Sequence, residues 1–423
     1  MDFQHLKKSD PELAKLVAAE LKRQAETIDL IPSENFVSPA ILEALGSALT
    51  NKYSEGYPGK RYYPGNVYYD KIERLAQERA LKLFKLSPKQ WSVNVQPYSG
   101  SPANIAIYSG LMKIACPPKP GGRRRGDTFL GMALAAGGHL THGHKVSFSG
   151  QAWRAVQYGV DPKTGLIDYR EVGKLARRSR PKVIVSGITA YPRKIDFKKF
   201  GAIARSIGAY HVADISHIAG LIAAGLHPSP FLYADVVMTT THKTLRGPRG
   251  AVIFSRRELA EKIDRAVFPG LQGGPHNNVT AAIAAMFGEA LKPNFKVYQR
   301  QIVKNAKALA RALADEEFRL ITGGTDNHML LADVRPFSLD GMAAQNQLEA
   351  VGIIANRNTI PGDTSPFRPS GLRMGTPAVS TRGMKEREMW LIASLMADAL
   401  RSRRKVSAIQ RDVRTLCKKF SMP

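Results

Sequence analysis

Short apolar runs alternate with helical stretches through the middle of the chain, and this alternation predicts the fold class. Apolar runs of strand length lie at residues 128–132, 183–188, 210–213, 235–238 and 251–254. Their alternation with helical stretches is typical of an α/β fold with a largely parallel sheet. Ligands bind such sheets at the carboxyl ends of the strands. Functional residues are therefore expected directly after these runs.

Helical periodicity predicts the organisation of both ends of the chain. Asp10, Pro11 and Glu12 provide an N-cap, a proline at N1 and an acidic first turn. Leucines and a valine follow at helical spacing: Leu13, Leu16, Val17 and Leu21. Further helices are expected at residues 281–291, at 298–314 and from residue 385 onward. We predict an N-terminal helical arm at 1–28, a large domain at 29–290 and a smaller α/β C-terminal domain at 291–423.

Residues 51–66 are rich in glycine, proline and tyrosine, which predicts a loop without regular structure before a helix at 70–84. The loop carries one carboxylate, Glu55. An aromatic-rich loop of this kind is either functional or a structural Ω-loop. A second loop is expected at 356–371.

Lys243 closely follows the apolar run at 236–238, and a charged lysine there is costly to bury. It either reaches solvent or has exchanged its charge for a covalent bond to a carbonyl cofactor. Ser99, Gly100 and Ser101 stand at a predicted helix start, where they serve either as an anion site or as ordinary capping residues. These residues alone leave both questions open.

Composition and charge narrow the class of protein. The 423 residues include two cysteines, Cys116 and Cys417, which suggests a reducing compartment. No signal peptide or membrane span is evident, so we expect a cytoplasmic protein. The formal net charge is +27, dispersed apart from small clusters at 123–125, 177–178 and 401–405. We interpret this excess as a solvated basic surface and expect no nucleic-acid partner, while steering of an anionic substrate remains an alternative.

Several motifs, taken together and in order, resemble one family. They are LIPSENF at 30–36, TNKYSEGYPGKRYY at 50–63, NVQPYSGSPAN at 94–104, GGHLTHG at 137–143, VDPKTGLIDY at 160–169, HPSP at 227–230 with ADVV at 234–237, TTTHKTLRGPRG at 239–250, VFPGLQGGP at 267–275, GGTDNH at 323–328 and LRMGTPAVSTRGMKE at 372–386. The set resembles serine hydroxymethyltransferase, a pyridoxal-phosphate enzyme of fold type I, the aspartate-aminotransferase type.

The resemblance implies a pyridoxal 5′-phosphate site. Lys243 would bond to the carbonyl carbon of the cofactor, and Asp214 would pair with its ring nitrogen. His139 would stack on the ring, while His217 and Thr189 would lie near the phenolic oxygen. The implied phosphate contacts are Ser99, Gly100, Ser101 and His242, with Gly273 and Gly274 from the neighbouring subunit. No metal is implied.

The resemblance also implies two substrate sites. Arg373 would hold the α-carboxylate of serine, and Glu55 would be the acid/base. Further serine contacts would be Ser33, Tyr53 and Tyr63, with Tyr53 and Glu55 supplied by the partner subunit. The implied tetrahydrofolate contacts are Tyr62, Leu134, Gly138, Leu140 and Asn358. Shared residues of this kind require a homodimer, and pairing of dimers into a tetramer stays open.

The expected reaction converts serine and tetrahydrofolate to glycine and 5,10-methylenetetrahydrofolate, with Lys243, Glu55, Asp214 and His217 as the catalytic group. One alternative is a related enzyme acting on α-methylserine or cleaving a β-hydroxy amino acid. Another is a non-catalytic basic paralogue that binds RNA. This chain also departs from the usual family pattern at a few positions: Pro64, Val67, Ala136, Thr189, Ser216 and an Arg-rich insertion near 121–126.

Overall fold

The computed structural model describes residues 3–114, 126–363 and 368–423. Cys116, the basic cluster at 123–125 and nearly all of the expected surface loop and insertion around them lie outside the described residues. The helices are α1 (Gln4–Ser9), α2 (Pro11–Glu26), α3 (Pro39–Leu45), α4 (Val67–Phe84), α5 (Gly100–Leu111), α6 (Phe148–Ala152), α7 (Tyr169–Ser179), α8 (Phe197–Ser206), α9 (Ala219–Ala223), α10 (Ala260–Val267), α11 (Asn277–Ala290), α12 (Pro293–Asp315), α13 (Gly341–Ala350), α14 (Pro377–Thr381), α15 (Glu386–Leu400) and α16 (Val406–Lys419). The strands are β1 (Ile28–Asp29), β2 (Gly56–Tyr57), β3 (Lys60–Arg61), β4 (Trp91–Asn94), β5 (Thr128–Met132), β6 (Arg154–Tyr158), β7 (Val183–Gly187), β8 (Tyr210–Asp214), β9 (Val236–Thr240), β10 (Ala251–Arg256), β11 (Arg319–Leu320), β12 (Met329–Asp333), β13 (Ile353–Ile354), β14 (Asn356–Asn358) and β15 (Gly371–Gly375).

The larger sheet confirms the predicted α/β class with a mostly parallel sheet. Within the described residues its strand order is β4-β10-β9-β8-β7-β5-β6. The β9, β8, β7, β5 and β6 strands pair in parallel, whereas β10 runs antiparallel to both of its neighbours. The carboxyl ends of β5, β7, β8 and β9 therefore meet along one edge.

Apolar side chains cover both faces of this sheet, as the near-continuous apolar runs require. Alternate residues enter different cores because successive side chains point to opposite faces. Leu130, Ile184 and Val237 belong to one core, whereas their chain neighbours Phe129, Val183 and Val236 belong to another. Helices therefore flank both faces of the sheet, so a ligand is expected at the edge where the carboxyl ends of the parallel strands meet.

The smaller sheet is antiparallel, with the order β11-β12-β15-β14, and it packs into a third core with α12, α13, α15 and α16. Ile28 and Leu30 also belong to this core, and β1 pairs with β13. Phe295, near the start of α12, packs instead in the core of the larger sheet. The smaller C-terminal α/β unit is thus present, while the boundaries at 28/29 and 290/291 stay predictions.

Three local expectations were wrong in detail. Residues 56–61 form a hairpin, β2–β3, because Gly59 adopts a φ of +82° that closes its tight turn. The expected loop at 356–371 begins with an edge strand, β14, paired with β15. The helix expected from Asp70 begins at Val67. Strands of two or three residues, polar in these cases, carry no hydrophobic periodicity that could have revealed them.

The N-terminal helix begins as predicted, with the carboxylate of Asp10 accepting from the N–H of Leu13 at 2.9 Å. Its apolar stripe has no cover within the described chain. Leu16 is 62% exposed, and Leu13 and Leu21 are also exposed, while Ala14 is the buried residue of the helix. The periodicity therefore identified a helix whose apolar side faces away from this chain.

Some of the basic side chains on the described surface are paired with acids. In the basic cluster at 401–405, Arg401, Arg403 and Arg404 all form ion pairs with carboxylates of neighbouring helices and turns. The interpretation of the excess charge as a solvated basic surface stays a prediction. None of the helices in the described ranges combines the length and apolar character that crossing a bilayer requires.

Arg382 ties the two ends of the chain together. Its side chain is 6% exposed and donates to the carbonyls of Ala25 and Thr27 at the end of α2 and of Cys417 and Phe420 at the end of α16. A cation at two helix C-termini is favourable because both ends carry unsatisfied carbonyls and negative dipole charge.

We expect Arg382→Met to lower the free energy of unfolding by about 3 kcal/mol, because the buried carbonyls lose a charged donor. Urea denaturation of the full chain measures this loss. Arg387→Met, on the exposed side of α15, is the matched control and should change stability by less than about 0.5 kcal/mol. Equal effects of the two substitutions would contradict this interpretation of Arg382.

Candidate functional site

A cavity of about 130 Å³ lies at the carboxyl ends of the parallel strands. It brings together nine of the residues expected at the cofactor site: Ser99, Gly100, Ser101, His139, Thr189, Asp214, His217, His242 and Lys243. Its other lining residues are Asn104, Ile188, Ser216, Met238, Thr240 and Arg249. Residues that are far apart in sequence thus form one site, because their strands end at the same sheet edge.

The N-terminus of α5 forms the anion-binding end of the cavity. Ser99 is the N-cap residue, but its side chain makes no capping hydrogen bond, so the first turn keeps its N–H groups and two hydroxyls for a ligand. Gly100 is required here, since a Cβ on it would lie 2.7 Å from Cγ2 of Thr240. The arrangement favours the anion-site interpretation of Ser99, Gly100 and Ser101.

Asp214, the last residue of β8, supplies the negative charge in the cavity. Its carboxylate accepts from Nδ2 of Asn104 at 3.0 Å, from Nε2 of His142 at 3.2 Å and from the backbone N–H of Ser216 at 3.0 Å. Burial alone would raise the pKa of Asp214, but the hydrogen bonds from these three partners outweigh burial and hold the pKa well below its usual range. Asp214 is therefore a carboxylate at every physiological pH.

His142 donates to Asp214 in a fixed tautomer. The backbone N–H of His139 donates to Nδ1 of His142 at 3.1 Å, so the ring proton of neutral His142 is on Nε2, which faces Asp214. Thr141 links the turn that carries His139 to helix α5. Its hydroxyl contacts Nδ1 of His139 at 2.7 Å and accepts from Asn104 at 2.9 Å. The 139–142 turn therefore holds both the ring of His139 and the donor to Asp214.

Lys243 points into the cavity, and its Nζ donates to Oγ1 of Thr240 at 3.1 Å. Burial lowers the pKa of its amine to about 8; Asp214 opposes this shift, while Arg373 and Arg249 add to it. The neutral, nucleophilic form of the amine is therefore far more populated near neutral pH than it is in an exposed lysine. Its backbone carbonyl accepts from Nδ2 of Asn35 at 2.9 Å, which fixes the turn after β9.

The histidines around the cavity are neutral. Burial lowers the pKa of His139 to about 4 and that of His242 to about 3, and it lowers the pKa of His217 well below its usual value. Nδ1 of His217 lies 3.3 Å from Nε2 of His328, whose pKa burial lowers to about 3. The positive charge near the cavity therefore comes from Lys243 and the arginines.

Arg373, on β15, lies beside the cavity with its guanidinium held on two sides. Nη1 donates to the carbonyl of Thr189 at 2.9 Å, and Nε donates to Oδ1 of Asn356 at 3.0 Å. Burial lowers its pKa to about 10, which leaves it protonated at neutral pH. Within the described ranges no hydrogen bond engages Nη2, and an arginine held in this way suits a carboxylate.

Six expected site residues form a separate group in the described chain. Tyr53, Glu55, Tyr62, Tyr63, Gly273 and Gly274 do not line the cavity. A Cβ on Gly273 would lie 3.3 Å from Oε1 of Glu55, and one on Gly274 would lie 3.6 Å from a ring carbon of Tyr53. The rings of Tyr53 and Tyr63 meet edge to face at 5.4 Å. One surface of the chain therefore carries this whole set.

The remaining expected residues lie near the cavity without lining it. Leu134, Gly138 and Leu140 belong to the turns around His139 after β5, and a Cβ on Gly138 would lie 2.0 Å from the carbonyl oxygen of Met132. Asn358 ends β14, the strand that holds Arg373 through Asn356. Ser33 lines an adjoining cavity that shares His242 and Arg249 with the first.

The residues with direct contacts at the site that were missed from the sequence include Asn104, His142, His328 and Asn356. Asn104 could have been found, because it follows Gly100 by one helical turn and so shares its face. His142 and His328 stand inside the GGHLTHG and GGTDNH motifs, but nothing in those motifs marks their contacts. Asn356 carries no sequence signal, since its role depends on the pairing of β14 with β15.

Ser216, one of the departures from the family pattern, is integrated into the site. Its hydroxyl accepts from the backbone N–H of Thr240 at 3.1 Å, and its own N–H donates to Asp214. It thereby ties the end of β8 to the end of β9, and both Asp214 and Lys243 depend on those strand ends.

The cavity fits pyridoxal 5′-phosphate by the chemistry of its lining. The N-terminal turn of α5 suits a phosphate, Asp214 suits a protonated ring nitrogen, and the amine of Lys243 suits an aldehyde carbon. Nδ1 of His242 is buried and has no hydrogen-bond partner among the described residues, which leaves it for a ligand. Within the described ranges, no group of three or more His, Cys, Asp or Glu side chains is placed to hold a metal ion.

Comparison with known protein families gives one match that spans most of the chain. The model of the family described as serine hydroxymethyltransferase matches residues 6–396. The matched range contains every residue of the cavity, the hairpin loop with Glu55 and the strand with Arg373.

In the protein without cofactor, we expect the amine of Lys243 to react at lower pH than surface lysines. Only the neutral amine is nucleophilic, so its labelling should rise as pH rises through about 8. Reductive methylation at a series of pH values, followed by peptide mass spectrometry, measures this profile. Exposed lysines are the internal reference, with half-labelling near pH 10.4. A Lys243 profile that coincides with theirs would refute the assignment of a depressed pKa.

Proposed function

The chain belongs to the serine hydroxymethyltransferase family, a family of pyridoxal-phosphate enzymes, and we propose that it transfers the hydroxymethyl group of serine to tetrahydrofolate. The products are glycine and 5,10-methylenetetrahydrofolate, and the transfer is reversible. The observation that carries the proposal is the meeting of Lys243, Asp214 and the N-terminus of α5 in one cavity, with Arg373 directly beside it.

Serine binds through its carboxylate to Arg373. The contacts of Arg373 with Thr189 and Asn356 fix the guanidinium, so little side-chain freedom is lost when the substrate binds. Ser33 contributes from the adjoining cavity. The positive potential from Arg373, Arg249 and Lys243 attracts the carboxylate of the substrate. The local charge of the site is therefore more relevant to binding than the net charge of the chain.

When bound, pyridoxal phosphate supplies an electron sink for the bond that breaks at the α-carbon of serine. The carboxylate of Asp214 holds a proton on the ring nitrogen, and its low pKa keeps that carboxylate ionised. Ser99, Gly100 and Ser101, at the N-terminal turn of α5, would hold the phosphate. The amine of Lys243 would be the nucleophile toward the aldehyde carbon, because its lowered pKa favours the neutral form. Of the other residues that line the cavity, His139 would hold the face of the ring, and His217 and Thr189 would bind its phenolic oxygen.

Glu55 moves the proton at the hydroxymethyl oxygen of serine. Breaking the Cα–Cβ bond requires that this oxygen lose its proton, and a carboxylate within hydrogen-bond reach can accept it. Glu55 does not line the cavity of its own chain. The proposal therefore requires Glu55 of the partner subunit, together with the partner subunit's Tyr53.

The surface of the described chain supports a homodimer. Tyr62 is 77% exposed, and Tyr53, Tyr63 and the apolar stripe of α2 are exposed as well. Large exposed apolar areas of this kind mark interaction surfaces. Because Glu55, Gly273 and Gly274 lie together, one patch of one subunit can complete the cavity of the other. Tyr62, Leu134, Gly138, Leu140 and Asn358 are proposed to bind tetrahydrofolate beside it.

We expect glycine formation from serine to depend on tetrahydrofolate, because the folate accepts the one-carbon unit. Glycine is measured by chromatography with and without tetrahydrofolate, and Lys243→Ala is the inactive control. Rapid cleavage of serine or of other β-hydroxy amino acids without folate would contradict the proposal and would show that the protein is an aldolase. Activity on α-methylserine in preference to serine would favour the alternative of a related enzyme that acts on α-methylserine.

A mixing experiment tests whether the sites are shared between subunits. Lys243→Ala and Glu55→Gln should each abolish most activity, but dissociation and re-association of an equal mixture should restore about a quarter of the wild-type rate. Random pairing makes half of the dimers hybrid, and each hybrid has one site with both residues intact. A mixture that stays as inactive as its components would show that Lys243 and Glu55 act from the same chain.

A further inference from the structure

Asn66 stands at the N-cap of α4, yet its side chain does not cap the helix. Asparagine is among the residues preferred at this position because its side chain can accept from the first-turn N–H groups. Here its ψ is 13° instead of the extended value that most N-cap residues adopt. The side chain is therefore directed to other partners, and the helix gives up a stabilising interaction.

Those partners lie on both sides of the loop that carries Glu55. Oδ1 of Asn66 accepts from the hydroxyl of Ser54 at 2.6 Å, and Nδ2 of Asn66 donates to the carbonyl of Tyr63 at 2.8 Å. Asn277, at the start of α11, donates from Nδ2 to the hydroxyl of Ser54 at 2.9 Å and to the carbonyl of Lys52 at 2.7 Å. Ser54 is fully buried, and Asn66 and Asn277 are each 6% exposed.

Both sides of Glu55 are thereby fixed to a buried frame. Ser54 precedes Glu55, and Gly56 follows it; the guanidinium of Arg61 donates to the carbonyls of both, at 2.8 Å and 2.7 Å. The N–H of Tyr62 donates to the carbonyl of Glu55 at 3.1 Å. Arg61 is itself paired with Asp70 and Glu73 of α4. The side chain of Glu55 thus extends from a backbone whose neighbours are all held.

We propose that Asn66 and Ser54 are positioning residues that hold the backbone of Glu55 and Tyr63 for proton transfer at the neighbouring subunit's site. This inference rests on the proposed function of Glu55. Asn66 joins the segment bearing Tyr53 and Glu55 to the segment bearing Tyr62 and Tyr63. Only one arrangement of such a bridge pairs all of its buried hydrogen-bond donors and acceptors, and other arrangements are costly. A displacement of about 1 Å at a reacting group can cost about 100-fold in rate.

The first test separates turnover from binding. Asn66→Ala and Ser54→Ala in the cofactor-loaded enzyme should each lower kcat about ten-fold and raise KM for serine by a smaller factor. The rise in KM is smaller because Arg373, which is proposed to hold the serine carboxylate, lies outside this loop, whereas the serine contacts Tyr53 and Tyr63 lie within it. Asn278→Ala is the matched control. Asn278 neighbours Asn277 on α11 and donates to the carbonyl of Leu45 instead of the loop, so its kcat should equal that of wild type. Equal losses in the control and the test variants would overturn the proposal.

The second test asks whether Asn66 acts through Glu55. If it does, Asn66→Ala combined with Glu55→Gln should be no slower than Glu55→Gln alone, because the positioned group is already gone. A merely structural role would instead multiply the two losses. Multiplied losses would therefore count against the positioning role even if both single variants are slow.

A third measurement does not depend on activity. Hydrogen exchange of the cofactor-loaded protein, followed by mass spectrometry, should show faster exchange of amides at 52–63 in Asn66→Ala and Ser54→Ala, with the Asn278→Ala profile unchanged. Unchanged exchange at 52–63 would overturn the proposal by itself. If wild type lacks folate-dependent activity but the exchange prediction holds, the proposed function fails and the restraint on the loop stands.

Discussion

The buried carboxylate of Asp214 is the constraint around which the site is built. A charge in this position is costly unless its oxygens are fully hydrogen-bonded, and its donors come from three places: Asn104 on α5, His142 in the turn after β5 and the N–H of Ser216 after β8. Satisfying one charge therefore fixes a helix, a turn and two strand ends relative to one another. The same helix, α5, presents its N-terminus to the cavity. The anion-binding turn of α5 and the carboxylate of Asp214 are therefore held at a fixed separation.

That arrangement also decides the state of Lys243. Burial and two nearby arginines disfavour its charge, whereas Asp214 favours it, and the balance leaves the pKa of the amine at about 8. Without Asp214, the cavity would hold cationic groups with no negative partner among its lining residues. With Asp214 ionised and the histidines neutral, the site has one negative end and one positive end, which suits a ligand that carries a cationic ring nitrogen and two anionic groups.

Sequence reasoning was strong where hydrophobic pattern determines structure and weak where geometry does. The five apolar runs located β5, β7, β8, β9 and β10, and the rule about strand ends correctly predicted functional residues directly after them, where Asp214 and Lys243 lie. The motifs then supplied partners that no periodicity could give, such as Arg373. The hairpin at 56–61, the edge strand at 356–358 and the side-chain direction of Asn66 could not be predicted, because each depends on a backbone conformation or on a pairing set by distant residues.

Glu55 was the hardest residue to place, for a physical reason. Its motif identifies it, but the cavity it is proposed to serve belongs to another copy of the chain, so neither its own burial nor its own neighbours report its function. Such a residue cannot rely on packing against the ligand's pocket for its orientation. Its position must be set entirely by contacts within the chain that carries it. The buried bridge from Asn277 through Ser54 to Asn66, and the paired Arg61 beside it, provide that support. In the proposed dimer, the polar interior of this loop is therefore the structural counterpart of the cavity, because one chain would hold the substrate and the other would hold the group that acts on it.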